Sequence, residues 1–289
     1  MKGQEVKAHS KMAALVVASA VTAAGLALAP AAATADAGPT AARPGAPEKP
    51  KIVKIKATDR KVTVNDDRFR PGVTEFRVTD TPKRRSTIII VKTDNLDRAF
   101  KLLGTAFSGE PGSADAMKKF DRIVTIYGGG GKGARWQVKL SQGSYYLLDT
   151  STNSLGTFTV KGDRRGAKMQ KADSTITTTK DNQFRTSGRL TGEWVGFHNN
   201  SREIHFMDAT RVAERVTGSD VRKALTSPKD PKWLKPGGFV FEVQSPGIET
   251  VYHQDVAEGK YLLICFMPSE EQDGVPHAMM GMWKLVHGG

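Results

Sequence analysis

Residues 260–286, "KYLLICFMPSEEQDGVPHAMMGMWKLV", set two β-type runs, "KYLLICF" and "MWKLV", around a polar stretch of turn-forming residues. On a strand, successive side chains of "YLLICF" point to opposite faces, Tyr261, Leu263 and Cys265 to one and Leu262, Ile264 and Phe266 to the other. Both faces are apolar, so both are expected to be covered, by the domain's own short helices and loops or by a second domain. The stretch also holds the only cysteine of the chain. A lone thiol cannot close an internal disulfide and is an oxidation hazard outside a reducing compartment. Either Cys265 is buried and inert, or something holds it. His277, Met279, Met280 and Met282 follow it closely, and all are possible ligands for a soft metal.

Runs of the same β type recur along most of the chain: "KIVKIKA", "VTEFRV", "STIIIVK", "RIVTIY", "RWQVKL", "SYYLLD", "GTFTVK", "STITTT", "EWVGFH", "EIHFMD", "GFVFEV" and "ETVYHQ". Gly, Asn, Asp and Pro separate them, which indicates an all-β sandwich or barrel. Helical patterns are short: "LDRAFKLL", "SADAMKKF" and "SDVRKAL", the last with Ser219 placed as its N-cap. The stretch "YGGGGKGARW" lacks the Ser or Thr that follows the lysine of a phosphate-binding loop, and it reads as a flexible connection between strands. Glu270 and Glu271 are neighbours that would face opposite ways on a strand, so they make a poor acid–base pair.

The chain repeats itself weakly. "SQGSYYLLDTSTNSLGTFTV" can be laid over "AEGKYLLICFMP…MMGMWKLV", matching Gly143 with Gly259, Tyr145 with Tyr261, Leu147 with Leu263 and Gly156 with Gly281. The upstream parts match as strand, "FR", turn, aromatic strand, polar loop, apolar strand and short helix. The expected domains are therefore 51–162 and 173–289, joined by a basic linker at 163–172. On this alignment Asp149 stands where Cys265 does, Thr157 where Met282 does and Thr87 close to His205.

The N-terminal stretch is of a different kind. Three lysines, an apolar Ala-rich run and Ala-x-Ala sites ending at Ala35 and Ala37 have the form of a Sec-type signal peptide, residues 1–35. A Pro- and Ala-rich tether follows at 36–50, and no later stretch is long and apolar enough to span a membrane. The expected location is outside the cytoplasm. Removing the leader takes away three lysines and one glutamate, so the net charge falls from +13 to +11. The basic residues are scattered and lack interleaved aromatics, which argues against nucleic acid as a partner. An anionic cell-wall polymer or an envelope component suits such charge better; a solvated basic surface with no partner is the plainer alternative. The oligomeric state is not encoded in any motif.

"WVGFHNNSREIHFM" followed by "EGKYLLICFMP…PHAMMGM" resembles the cupredoxins, the plastocyanin-like blue-copper proteins. The resemblance implies two cupredoxin-like Greek-key β-sandwich domains in tandem, with the first a degenerate copy. It also implies copper held by His205, Cys265, His277 and the axial Met282, because "HAMMGM" keeps the family's His-x4-Met spacing. One departure stands out: the family's second histidine comes two to four residues after the cysteine, whereas His277 follows a nine-residue insertion, "PSEEQDGVP". The chain has no His-x-His pair, so it lacks the residues for a trinuclear copper centre, and residues 36–197 contain no histidine. The implied function is therefore non-enzymatic: copper-based electron transfer with a redox partner, or copper storage and delivery. The alternative is a metal-free module of the same fold that binds wall polymer or an envelope protein through its basic surface.

Overall fold

The computed structural model describes residues 48–83, 86–108 and 110–289. The expected leader, and all of the expected tether before residue 48, lie outside the described residues. No helix among the described residues is long and apolar enough to cross a membrane.

The chain is mostly strand, as its alternating runs require. The first half contains β1 (Lys51–Ala57), β2 (Val62–Val64), β3 (Arg68–Phe69), β4 (Gly72–Asp80) and β5 (Thr87–Lys92). Two helices follow, α1 (Leu96–Ala106) and α2 (Ser113–Ile123), and then β6 (Thr125–Gly131), β7 (Arg135–Leu140), β8 (Gly143–Asp149) and β9 (Leu155–Val160). The second half contains β10 (Ser174–Thr178), β11 (Phe184–Thr186), β12 (Trp194–Asn199), β13 (His205–Val212), α3 (Gly218–Leu225), β14 (Leu234–Gln244), β15 (Glu249–His253), β16 (Gly259–Ile264) and β17 (Trp283–Gly288). Strand β1 shows why these segments pair: Val53, Ile55 and Ala57 point inward while the lysines between them face water. Helix α1 is capped by Asn95, whose side chain accepts from Arg98 N–H. Helix α3 begins one turn-position before the expected Ser219 cap. Thr217 takes that role in a reciprocal box with Asp220, because Ser219 already lies inside the helix.

The strands form two mixed sheets. One has eight strands in the order β11-β10-β12-β15-β7-β4-β1-β2, and the other nine in the order β17-β16-β13-β14-β6-β5-β8-β9-β3. The first half contributes β2-β1-β4-β7 and β6-β5-β8-β9-β3; the second contributes β11-β10-β12-β15 and β14-β13-β16-β17, the same order except that β3 has no counterpart. Each half is thus a sandwich, and the halves join edge to edge, β7 to β15 and β6 to β14. Aromatic contacts bind the sheets face to face: Phe76 to Phe158 at 5.8 Å, Phe197 to Phe241 at 6.1 Å and Phe241 to Tyr252 at 4.3 Å between ring centroids.

In the second half the outer apolar residues of β16 are covered from within that half. Leu262 and Ile264 pack with Val212, Val216, Val221 and Ala278, so α3 and its flanks close the second half. Ala99, Ala106, Met117 and Phe120 bring α1 and α2 into one continuous core that runs through both halves.

The glycine run is not a loop. "TIYGGGG" is strand β6, and only Lys132–Gly133 turns. A Cβ on Gly129 would lie 2.2 Å from the Ile88 carbonyl oxygen, and one on Gly130 2.3 Å from Ala134 Cβ. The strand needs glycine because a neighbouring carbonyl at Gly129 and a neighbouring methyl at Gly130 lie too close for any side chain.

Register refines the internal match. Tyr145 Oη donates to Ser141 O and Tyr261 Oη to Ala257 O, each at 2.8 Å and four residues back, so these tyrosines are equivalent in role. Gly143 pairs with Val160 and Gly259 with Gly288, which makes Lys284, not Gly281, the counterpart of Gly156. By the same register Ser154, not Thr157, matches Met282. Ile88 faces Asp149, and the β13–β16 register sets Met207 opposite Cys265, so Ser86 rather than Thr87 matches His205.

Candidate metal centre

His205 opens β13, Cys265 follows the last residue of β16, and His277 starts a single 3₁₀ turn, His277–Met280, that leads into β17. Sequence separations of 60 and 12 residues collapse to contact: Cys265 Sγ lies 3.5 Å from His205 Nδ1 and 3.8 Å from His277 Nδ1. The three ligand atoms all lie within 4.8 Å of one another. His205, Cys265, His277 and Met282 are each 0 % exposed.

The nine-residue insertion does not displace His277. His277 N–H donates to Met267 O at 2.9 Å, and Pro268 bridges Pro276. Residues 268–276 therefore leave and rejoin the chain at one point. Inside the excursion Ser269 N–H donates to Val275 O, Gly274 N–H to Ser269 O and Val275 N–H to Gln272 O. Asp273 and Gly274 both adopt positive φ, 49° and 76°, the turn chemistry that "DGVP" promises. Pinched at this neck, Cys265, Phe266, Met267 and His277 are consecutive in space. Met282 is placed by the backbone on both sides: its N–H donates to His277 O at 2.9 Å, and its carbonyl accepts from Cys265 N–H at 3.3 Å. Gly281, at φ 97°, reverses the chain between the 3₁₀ turn and Met282.

Two further residues, absent from the sequence reading, organise the histidines. Glu203 Oε2 accepts from His277 Nε2 at 3.0 Å and from Glu270 N–H at 2.7 Å, while its Oε1 accepts from Asn182 Nδ2 at 2.7 Å. Asn182 Oδ1 accepts from His205 Nε2 at 3.1 Å. Asn182 stands at the tip of the β10–β11 turn with φ 51°, a left-handed position that asparagine tolerates. Asn199 steadies the Glu203 segment, its Nδ2 donating to Glu203 O and Gln244 O, both at 2.9 Å. The sequence holds Glu203 in "SREIH", two residues before His205, but nothing there distinguishes it from the chain's other acidic residues.

The electrostatics follow from burial and these bonds. Burial, reinforced by the neighbouring His277, holds His205 well below the ordinary histidine range. Burial would also depress His277, yet its hydrogen bonds with Cys265 and Glu203 outweigh this and raise it to about 9. Burial pushes Glu203 up, but donation from His277, Glu270 N–H and Asn182 brings it down to about 2. The metal-free site is therefore an imidazolium–carboxylate pair beside a neutral imidazole and a buried sulfur. Buried paired charges of this kind are tolerated only when fully hydrogen-bonded, as these are.

Glu270 also corrects the expectation for its pair. It lies in the excursion, not on a strand, and its carboxyl sits beside Asp121 of α2. The first half thus touches the loop that bears His277; a Cβ on Gly274 would lie 3.3 Å from Ser113 Cβ.

No family model matches the chain, and no curated protein matches it. Among solved structures, dithionite-reduced auracyanin from Roseiflexus castenholzii is 18% identical over 41% of this chain and 99% of its own, with a TM-score of 0.25. Auracyanin A from Chloroflexus aurantiacus, a blue copper protein, is 16% identical over 40% of this chain and 96% of its own, at 0.24. A copper nitrite reductase from Nitrosomonas europaea is 11% identical over 84% of this chain and 94% of its own, at 0.23. Scores this low add no weight to the reading of the site, which rests on the ligand geometry of this chain.

Proposed function

We propose that this chain binds one copper ion through Cys265 Sγ and the Nδ1 atoms of His205 and His277, with Met282 as a weak fourth ligand. The observation that carries the reading is the convergence of two Nδ1 atoms on one buried thiol while both outer nitrogens are already bonded. A donor set of one thiolate, two imidazoles and one thioether suits copper. Bound there, copper would supply a one-electron couple; the chain holds the four residues fully buried, as electron transfer or copper storage and delivery would use. The leader-like N-terminus supports a location outside the cytoplasm, with a redox partner or copper acceptor there. Adding Cu(II) to the purified protein is the test. A thiolate-to-copper absorption band in the visible, absent from Cys265→Ala, is expected; a blank spectrum overturns the reading.

The first half is read as a copy without the site, since its matching positions hold Ser86, Asp149 and Ser154. A second reading, anion binding independent of metal, is favoured by one cleft of about 320 Å³ lined by Lys49, Lys168 and Lys171 together with Trp194 and with Arg77 and Arg135, both of which already pair with Glu75. Salt-dependent binding of an anionic wall polymer to the Cys265→Ala protein would support it; no binding at low salt would remove it.

A further inference from the structure

Glu203 is a carboxylate with little contact with water and three donors, and it lies at the centre of a closed chain of polar groups. The chain runs from His205 Nε2 to Asn182 Oδ1 (3.1 Å), from Asn182 Nδ2 to Glu203 Oε1 (2.7 Å), and from Glu203 Oε2 to His277 Nε2 (3.0 Å). A carboxylate can only accept, so His277 must carry hydrogen on Nε2. Asn182 has turned its amide nitrogen to Glu203, which leaves its oxygen for His205, and that ring too must carry hydrogen on Nε2. On both rings Nδ1 is therefore the atom that faces Cys265; in the metal-free site His277 Nδ1 holds a second proton, which a metal ion would displace. The third donor, Glu270 N–H at 2.7 Å, ties the same carboxylate to the excursion that bears His277.

The charge of the carboxylate matters as much as its geometry. With a thiolate and Glu203 both ionised, a divalent ion leaves the buried centre neutral, and a monovalent ion leaves it one charge negative. The ligands have no exposed surface on which water could screen that excess. An uncompensated buried charge is strongly disfavoured, so the carboxylate acts against reduction.

Resting on the copper reading above, we propose that Glu203 is the positioning residue of this centre. It fixes the Nε2–H form of both histidines, His205 through Asn182, and biases the site toward Cu(II) over Cu(I). Partners of this kind alter metal affinity by about ten- to a hundredfold when removed. The relay would give the two histidines unequal dependence on it: His277 loses its acceptor directly, His205 only through the amide.

The experiment uses the full chain and two variants. Glu203→Gln keeps the shape and removes the charge; Glu203→Ala removes both. For the copper-loaded protein, Cu(II) and Cu(I) affinities are measured by competition with a chelator of each ion, alongside the reduction potential. Glu203→Gln is expected to keep the visible band, to raise the potential and to weaken Cu(II) relative to Cu(I) by about tenfold or more. An unchanged Cu(II)/Cu(I) preference with the band intact overturns the redox role and leaves the copper reading standing. In the metal-free protein, the imidazole N–H protons are followed by nuclear magnetic resonance. Wild type is expected to show solvent-protected Nε2–H protons on both histidines, with the His277 signal lost in Glu203→Ala. If wild type takes up no copper but shows this pattern, the copper reading and the redox role fall while the positioning role holds. Freely exchanging Nε2–H protons in wild type overturn the positioning role whatever copper does.

Discussion

His277 N–H donates to Met267 O at 2.9 Å, and this one bond closes the neck of the 268–276 excursion. The insertion that separates the thiol from its second histidine in sequence is therefore not a separation in space. Replacing residues 269–275 by two glycines should leave Pro268 and Pro276 joined by a tight turn and His277 in place. The expected outcome is a copper absorption band at the wild-type position, with faster metal exchange because the cover is gone. Loss of the band would show that the excursion itself, through Glu270, is needed to hold His277.

The contact between that excursion and helix α2 should weaken as pH rises. Burial, with a further push from the nearby Glu203 charge, raises Asp121 to about 6. Burial, with Asp121 and Glu203 alongside, raises Glu270 to about 7. Each carboxyl holds its proton more tightly folded than unfolded, so its contribution to stability is present at low pH and is lost as pH passes through the folded value. Amide exchange over residues 270–275 is expected to quicken beyond its intrinsic rise between about pH 5 and 8, one unit either side of these values. Asp121→Asn should flatten that dependence; an equally steep profile in the variant would assign it elsewhere.

The two tyrosine hydroxyls should behave as a matched pair. Tyr145→Phe and Tyr261→Phe each remove one bond to a carbonyl four residues back and leave the ring in the core. Each is expected to lower unfolding free energy by about 1 kcal/mol. They share no partner, so the double variant should lose about the sum. Urea unfolding measures this, and strong non-additivity would mean that the halves communicate through their cores.

Residues 173–289 expressed alone should expose the edges of β14 and β15, which in the whole chain pair with β6 and β7. Unpaired edges next to buried aromatics such as Tyr252 invite association. Aggregation or binding of a hydrophobic dye is expected on size-exclusion and fluorescence. A soluble, monomeric, dye-silent half would show that the joint adds little.

Local pattern carried much of this into the sequence. Alternation in "YLLICF" and the Tyr–Gly matches between halves are properties of single strands, and both survive in the structure as paired strands and equivalent hydroxyl bonds. The three candidate ligands that meet were legible because the chain has one thiol and few imidazoles. Glu203 was not, since its role depends on a contact with a residue 74 positions away and its chemistry is common. Gly128–Gly131 misled for a different reason: glycine favours turns, and only neighbours unseen in sequence, the Tyr252 hydroxyl at Gly128, the Ile88 carbonyl at Gly129 and the Ala134 methyl at Gly130, explain a strand made of it. Ser219 lost the helix cap to a residue two earlier that could bond reciprocally with Asp220.

Each joint between the halves sets a strand against its own counterpart, β7 against β15 and β6 against β14. Between separate subunits that would be an isologous contact, the signature of a two-fold dimer. Here the two partners share one chain, and three consequences follow. Dilution cannot part them, because the linker keeps each half at a high effective concentration near the other. A substitution on one side of the seam is not copied onto the other, so Trp136 can face Tyr252 at a position where a two-fold contact would set a residue against its own copy. Freed from symmetry, one half can carry all the metal chemistry while the other is left to brace it.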